Sequence, residues 1–366
     1  MQVPFLNLAA QYASLKEELL PVVEQTLAGA HYILGPNVTA LEQEIAAYTD
    51  TTFGIGVNSG SDALTLALRA LDIQAGDEII TTPFTYIAPA ESIHQMGARI
   101  VFADVDPKTF TIDPKEIARK LSPKTKALLP VHLFGQASPL DEILKLAVLH
   151  KLEVVEDCAQ AIGAKYNGRS VGSFGRMGCF SFYPTKNLGA NGDGGMIVTR
   201  DEGLAKKLKM LRVHGIERRY FHDLHGYNSR LDELQAAILR VKLKRLDGWN
   251  NRRAEIAARY TAAFKGLPLE LPVTQAGSTH VFHVYAVLSD RRDALQQFLA
   301  DKGIPTLIYY PRPLHLQKVY EDLGYREGDF PVAEALSRRI LPLPMYPELS
   351  DEQVEYVAAT IRRFHG

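Results

Sequence analysis

Short apolar runs alternate with segments of helical spacing from about residue 53 onward. FGIGV is followed by SDALTLALRAL, in which Leu64, Leu68 and Leu71 share one helical face. Strands are predicted at DEIITTP, RIVFADVD, KALLPVHLFG, LEVVEDCAQ, MGCFSFYP and GGMIVT, and helical segments at 86–96, 114–121 and 139–149 lie between several of them. This alternation predicts an α/β fold with a mostly parallel sheet wrapped by helices on both faces.

The pattern changes after Asp201. Helices dominate to about Gly266, and then a strand, FHVYAVL, precedes the helix RDALQQFLADKG, a proline-rich loop and a final helix. We therefore expect a large α/β domain at 1–250 and a smaller α+β domain at 251–366. No flexible linker separates them, so the two are expected to pack closely.

Composition narrows the class of protein. The 366 residues are 46% hydrophobic and 23% charged, and the net charge of −1 lacks the basic footprint of a nucleic-acid binder. No apolar run approaches the roughly 20 residues of a membrane span, and the first residues lack a signal-peptide pattern. We expect a cytoplasmic protein without nucleic-acid or membrane partners. Cys158 and Cys179 are too few for a zinc site or a disulfide framework, and no metal is expected.

Ligands of wrapped parallel sheets bind at the carboxyl ends of the strands. After FGIGV comes Asn58-Ser59-Gly60-Ser61-Asp62, which opens a helix. Small residues and free N–H groups at a helix start suit a phosphate, although Ser and Asp are also ordinary helix caps. The segment is neither GxGxxG nor a P-loop, which argues against a dinucleotide or nucleoside-triphosphate enzyme.

Two charged residues follow other predicted strands. Asp157 ends LEVVED, and Lys186 lies in SFYPTKNLGANGDGG among apolar and turn-forming residues. Asp157 alone is equally well read as a capping residue. Together, a lysine that forms a Schiff base with pyridoxal phosphate (PLP) and an aspartate that pairs with its pyridine nitrogen indicate one cofactor. The helix start at Gly60 would take the phosphate, and Tyr86 would lie on the ring.

Three long motifs, EDCAQAIGA, SFYPTKNLGANGDGG and GYNSRLDELQAAIL, make the resemblance specific. The chain resembles the DegT/DnrJ/EryC1/StrS family of nucleotide-sugar aminotransferases from PFLNLAAQY to LPLPMYP. The resemblance implies the aspartate-aminotransferase-like fold, PLP fold type I, with the cofactor alternating between PLP and pyridoxamine phosphate (PMP). It also implies a homodimer with shared active sites.

The resemblance assigns roles by motif. Lys186 would form the Schiff base, Asp157 would pair with the pyridine nitrogen, and Gln160 would lie near the phenolic oxygen. The remaining cofactor contacts would be Gly60, Ser61 and Ser181 at the phosphate, Tyr86 on the ring, and Asn228 from across the dimer interface.

Substrate contacts are less narrowly assigned. In the family, residues matching Tyr183, Tyr310 and His315 border the site, so they would touch the sugar or serve only in packing. Arg219 and Tyr220 would contact a pyrophosphate or form a solvated loop. His222 and His225 have the spacing of metal ligands, but a surface loop is the better interpretation.

The implied reaction transfers the amino group of L-glutamate to a nucleotide-linked 3-keto-hexose, with dTDP or UDP as the nucleotide. C-3 is expected because YPTKNLGANGDGG and RRYFHDLHGYNSRLDELQAA resemble the members that aminate C-3. The alternatives are a C-4 aminotransferase of the same family, a PLP enzyme acting on a free amino acid, and a non-catalytic PLP- or sugar-nucleotide-binding regulatory protein.

Overall fold

The computed structural model describes residues 1–366. The helices, in chain order, are α1 (Leu8–Gly29), α2 (Pro36–Tyr48), α3 (Gly60–Ala70), α4 (Ala88–Gln95), α5 (Pro114–Lys120), α6 (Leu140–His150), α7 (Glu202–Leu211), α8 (Glu233–Leu243), α9 (Leu246–Phe264), α10 (Arg292–Asp301), α11 (Pro331–Arg339) and α12 (Asp351–His365). None of them is both long and apolar enough to traverse a bilayer.

The strands are β1 (Phe53–Val57), β2 (Glu78–Thr81), β3 (Arg99–Phe102), β4 (Thr125–Leu128), β5 (Glu153–Asp157), β6 (Lys165–Tyr166), β7 (Arg169–Ser170), β8 (Met177–Ser181), β9 (Gly195–Thr199), β10 (Ile216–Arg218), β11 (Phe221–His222), β12 (Tyr285–Leu288) and β13 (Ile340–Leu343). Seven of them form the main sheet in the order β1-β9-β8-β5-β4-β2-β3. Only β9 runs antiparallel to its neighbours, β1 and β8. The predicted mostly parallel sheet is confirmed.

Helices cover both faces of this sheet, as the sequence predicts. One face carries Leu64 and Leu68 of α3, together with Leu208 of α7, in a single apolar core. The other face packs Ile45 of α2 and Leu239 of α8 against strand residues. Burial of both faces explains why the strands are continuous apolar runs rather than alternating ones.

A second, smaller core lies in the C-terminal part. The antiparallel pair β12–β13 packs with α9, α10 and α12 around Tyr260, Tyr285 and Leu299. Val3, near the N-terminus, is part of the same core. The boundary expected at 250/251 falls inside the continuous helix α9, and the division into two domains stays a prediction.

Candidate active site

Sheet topology brings the chemically interesting residues to one edge. The neighbouring strands β5 and β8 are parallel and end at Asp157 and Ser181. Because β9 is antiparallel, its first residue, Gly195, pairs with both Ser181 and Val57. The segment 182–194 that joins β8 to β9 therefore lies at the same edge as the carboxyl end of β1 and the start of α3.

The lysine loop, defined here as residues 182–194, is folded back on itself. Phe182 N–H donates to Gly194 O at 2.8 Å, Ala190 N–H to Phe182 O at 2.7 Å, and Lys186 N–H to Tyr183 O at 2.8 Å. A Cβ at Gly189 would lie 2.4 Å from Pro184 O, so glycine is required there. These contacts hold the backbone of Lys186 in one place.

Lys186 is half-buried in this loop. Burial lowers the pKa of its amine from 10.5 to about 8, and the negative charge of Asp157 opposes the shift. Burial favours the neutral amine because a charged ammonium loses its hydration. A larger fraction of neutral amine makes Lys186 a better nucleophile than an exposed lysine.

Asp157 is 5% exposed. Its Oδ1 accepts a hydrogen bond from Ala159 N–H at 2.9 Å, and its Oδ2 makes none within the chain. Burial raises the pKa of this carboxyl, whereas the Ala159 N–H and the positive charge of Lys186 act in the opposite direction. A buried carboxylate with a free oxygen is suited to a cationic ligand group.

The start of α3 forms a cradle of backbone donors. Ser59 caps the helix by accepting from Asp62 N–H at 3.0 Å, while the N–H groups of Gly60 and Ser61 have no acceptor in the chain. The cradle is tight: a Cβ on Gly60 would lie 2.5 Å from Ser181 Cβ. Free N–H groups at a helix N-terminus, beside a serine hydroxyl, suit a phosphate.

Gln160 and Tyr310 are joined directly. Gln160 Oε1 accepts from Phe134 N–H at 2.8 Å, and its Nε2 donates to Tyr310 Oη at 3.2 Å. The Tyr310 ring packs edge-on against Phe84, with ring centroids 6.1 Å apart. Burial raises the pKa of the Tyr310 hydroxyl, and the nearby Tyr86 contributes to the rise. Tyr86 itself is exposed.

Most of the other residues expected to contact the cofactor or the substrate lie at the protein surface. Asn228 is exposed and makes no side-chain hydrogen bond, but its neighbour Ser229 donates to Asn58 Oδ1 at 3.3 Å, so this segment borders the start of α3. Tyr183 is exposed. Tyr220, 77% exposed, and Arg219 lie at the β10–β11 hairpin, where the guanidinium stacks 5.0 Å from the ring. His222 and His225 are exposed, as expected for a surface loop.

His315 is placed in the interior. It is 2% exposed, its Nε2 lies 3.1 Å from Glu334 Oε1, and its ring contacts Phe330. The His315 side chain is therefore enclosed by protein, in contact with α11 and with Phe330, and does not face solvent. Its expected contact with the sugar stays a prediction.

Sequence reasoning did not single out the buried pair Glu156 and His132. Ser138 N–H donates to His132 Nδ1 at 3.0 Å, so the ring carries its proton on Nε2, which donates to Glu156 Oε2 at 3.0 Å. Glu156 also accepts the N–H groups of Gly172, Phe174 and Gly175. Burial alone would raise the carboxyl pKa, but these bonds lower it overall. The only signal in the sequence was an acid inside an apolar strand.

Lys242 of α8 was also missed. Its ammonium group donates to Gly189 O and to Asn191 Oδ1, both at 2.8 Å, and thereby ties the lysine loop to the helix. Burial lowers its pKa to about 8. In the sequence, Lys242 stands between the apolar residues Val241 and Leu243, and this was the only sign that its side chain is buried.

The residues at this edge fit PLP. Gly60, Ser61 and Ser181 form a cradle that any Cβ at Gly60 would fill, the free Oδ2 of Asp157 can meet a protonated pyridine, and Lys186 offers an amine of lowered pKa. The set matches the three anchors that the cofactor needs.

Fold and site together define an α/β aminotransferase of the PLP type. The chain belongs to the DegT/DnrJ/EryC1/StrS aminotransferase family, whose model matches residues 13–362. The family, the fold and the PLP-dependent aminotransferase class expected from the sequence are thereby confirmed. Solved relatives hold the cofactor as PMP or PLP.

Individual relatives cover the whole chain. The chain is 50% identical to a Geobacillus stearothermophilus protein named "Pleiotropic regulatory protein", and the match covers 100% of this chain and 99% of the relative. It is 47% identical, over 100% of this chain and 98% of the relative, to a UDP-N-acetyl-3-dehydro-alpha-D-glucosamine 3-aminotransferase of Acidithiobacillus ferrooxidans. The structure of S. venezuelae DesV in complex with a ketimine intermediate matches with a TM-score of 0.98 and 44% identity, over 100% of this chain and 98% of that one.

Proposed function

We propose that this protein transfers an amino group from L-glutamate to C-3 of a dTDP- or UDP-linked 3-keto-hexose. The observation that carries the proposal is the convergence of Lys186, Asp157 and the Gly60 cradle at one sheet edge. Bound PLP would supply a carbonyl that takes up the amino group and an electron-accepting ring.

The chain's own residues have separate tasks in this proposal. The Gly60 and Ser61 N–H groups and the Ser181 hydroxyl would hold the phosphate, and Asp157 would keep the pyridine nitrogen protonated. Lys186 would hold the cofactor through its amine. As a free amine, Lys186 Nζ would take the proton from the Cα of the donor amino acid, and it would later give a proton to the sugar carbon. Its lowered pKa of about 8 suits both steps near neutral pH.

Two observations support a sugar nucleotide as the acceptor. The Acidithiobacillus relative is named for a UDP-linked 3-dehydro sugar, and other relatives are named as transaminases of dTDP-3-amino sugars. The exposed Arg219 and Tyr220 at the hairpin tip are available to a pyrophosphate, and the exposed Tyr183 is available to the hexose. Tyr310, whose hydroxyl accepts a hydrogen bond from Gln160, is the second proposed contact to the hexose. These substrate contacts are proposals, as is glutamate as the donor.

A shared dimeric site is part of the proposal. Asn228 has an exposed carboxamide without a hydrogen-bond partner in its own chain, as a group that reaches a neighbouring subunit's phosphate must have. The cytoplasmic location expected from the sequence stays a prediction.

A second function is favoured by one observation, the name of the 50% identical Geobacillus protein. A regulatory protein would need to bind PLP or a sugar nucleotide without turnover. The presence of both Lys186 and Asp157 argues for catalysis, because an amine of lowered pKa can transfer protons and a buried carboxylate can keep an electron-accepting pyridine protonated, and turnover requires both groups.

The two functions are separated by a half-reaction. The protein is loaded with PLP, glutamate is added, and conversion to PMP is followed by absorbance and by mass spectrometry of the released cofactor. The PMP form then receives a 3-keto sugar nucleotide or a free 2-oxo acid. We expect PMP formation with glutamate and faster reoxidation by the sugar nucleotide. PLP binding without conversion by any amino donor would support the regulatory function, and preference for free 2-oxo acids would support an amino-acid enzyme. Lys186→Ala is the matched inactive control.

A further inference from the structure

Asn187, which follows Lys186, sits in a buried hydrogen-bond chain that the proposed reaction does not use. Its Nδ2 donates to Val281 O at 3.0 Å and to Asn250 Oδ1 at 2.8 Å, and its Oδ1 lies 3.1 Å from His283 Nδ1. Asn250 Nδ2 in turn donates to Ile162 O at 3.1 Å. Both asparagines are buried.

The direction of every bond in this chain is fixed. The carbonyl oxygens of Ile162 and Val281 can only accept, so the amide nitrogens of Asn250 and Asn187 must face them. Asn187 Oδ1 is then the atom that faces His283. Because a carboxamide oxygen accepts, His283 carries its proton on Nδ1 and donates it to Asn187.

His283 is itself held in place. Val281 N–H donates to Gly135 O at 2.9 Å, and Val284 N–H to Phe134 O at 3.3 Å. A Cβ on Gly135 would lie 3.0 Å from His283 N. The same turn supplies the Phe134 N–H that binds Gln160. The imidazole is thus a fixed donor, tied through one residue to the backbone of Lys186.

We propose that His283, acting through Asn187, is a positioning residue for the amine of Lys186. The inference rests on the proposed role of Lys186 as the cofactor-binding lysine. The bond to His283 pins residue 187, which keeps the Lys186 side chain in its desolvated place. Burial also lowers the pKa of His283 well below its usual value, with further lowering from the charges of Lys186 and Arg253. The ring therefore stays neutral and does not add a charge beside Lys186.

The test compares two amides at one position. An asparagine at 283 places its Nδ2 where the imidazole Nδ1 lies and can still donate to Asn187. A glutamine places its nitrogen near the Nε2 position and cannot. His283→Asn and His283→Gln are therefore matched in polarity and differ in the one bond at issue. His280→Gln is the control, because the buried His280 bonds only to its local backbone at Phe282 N.

The first readout needs no turnover. Apo protein is labelled with an amine-directed acylating reagent across a pH series, and modification of Lys186 is quantified by peptide mass. Wild type should show a midpoint at about 8. Asp157 is the charged group that acts directly on this amine, and it is left unchanged in every variant. His283→Gln should raise the midpoint and slow labelling at pH 8 at least threefold, because a loosened Lys186 is hydrated and keeps its proton.

The second readout is the single-turnover rate of PMP formation, which His283→Gln should lower with little change in donor KM. His283→Asn should restore both readouts toward wild type. An unchanged labelling midpoint in His283→Gln, or an equal shift in His280→Gln, would overturn the proposal. Because labelling is measured in the apo protein, this outcome is independent of whether the wild type transaminates sugars.

Discussion

Gly60 and Ser181 are in such close contact that a methyl group on Gly60 would lie 2.5 Å from Ser181 Cβ. One residue begins a helix and the other ends a strand, and both turn their polar groups toward the same small volume. The contact sets the size of the phosphate cradle on which the proposed cofactor binding depends.

Gly60→Ala should therefore weaken PLP binding. The added methyl group must displace Ser181 or the first turn of α3, and a loss of at least tenfold in affinity, about 1.4 kcal/mol, is expected. Equilibrium titration with PLP measures it. Gly248→Ala is the control, because a Cβ at Gly248 meets nothing within 4 Å. Equal affinity for PLP in both variants would show that the cradle does not bind the phosphate.

Asp157→Asn should change the proton affinity of Lys186 as well as the reaction. The charge of Asp157 raises the Lys186 pKa against the effect of burial, so its removal should move the labelling midpoint of Lys186 below about 8. Transamination should fall at least hundredfold, about 2.7 kcal/mol in activation free energy, because a neutral amide would not keep the pyridine nitrogen protonated. A midpoint that stays constant or rises would contradict the assigned proximity of the two groups.

Sharing of the site between subunits can be tested with two inactive variants. Lys186→Ala and Asn228→Ala are each expected to have low activity, the second because it loses a phosphate contact worth about 1–3 kcal/mol. Each mixed dimer would contain one site with both native residues and one site with neither, so it should regain up to about half of the activity of a wild-type dimer. Proven subunit exchange without any recovery would place Asn228 in the same subunit's site or outside it.

Glu156→Gln should destabilise the protein far more than Glu153→Gln. Glu156 accepts four hydrogen bonds in the interior. The NH2 group of a glutamine at this position would face some of these N–H donors without an acceptor, at a cost of about 3 kcal/mol or more in the free energy of unfolding. Glu153 is partly exposed and pairs with Arg176, a contact worth about 0–1 kcal/mol. Urea unfolding of the apo proteins at one concentration measures both; comparable losses would contradict the role given to Glu156.

The sign of the pH dependence follows from the lowered pKa of Glu156. Its carboxylate contributes stability above the ordinary carboxyl pKa, and the contribution is lost as the pH falls through the lowered value. The difference between wild type and Glu156→Gln should therefore shrink in acid. A constant difference down to acid unfolding would contradict the assignment.

The sheet and most of its helices could be predicted from sequence patterns. Both faces of the sheet are buried, so consecutive strand positions are apolar and the strands stand out as continuous apolar runs. Asp157 was predictable because it is an acid at the end of an apolar strand, and Lys186 because it is a lone lysine in a segment of apolar, small and turn-forming residues that follows a strand. Asn187, His283 and Lys242 were not, since their importance depends on contacts with residues far away in the chain. The antiparallel insertion of β9 was equally invisible, because its apolar run reads like that of a parallel strand.

The position of amination tests the central claim most directly. PMP-loaded protein is mixed with matched 3-keto and 4-keto dTDP-hexoses, and with the corresponding UDP compounds, and the amino-sugar products are identified by NMR. Only one of the two neighbouring ring carbons can come within the roughly 3–3.5 Å of the reacting group that a productive pose needs. We predict a nitrogen at C-3 and little product from the 4-keto compounds. Efficient amination at C-4 alone would contradict the proposed function while leaving the aminotransferase class intact.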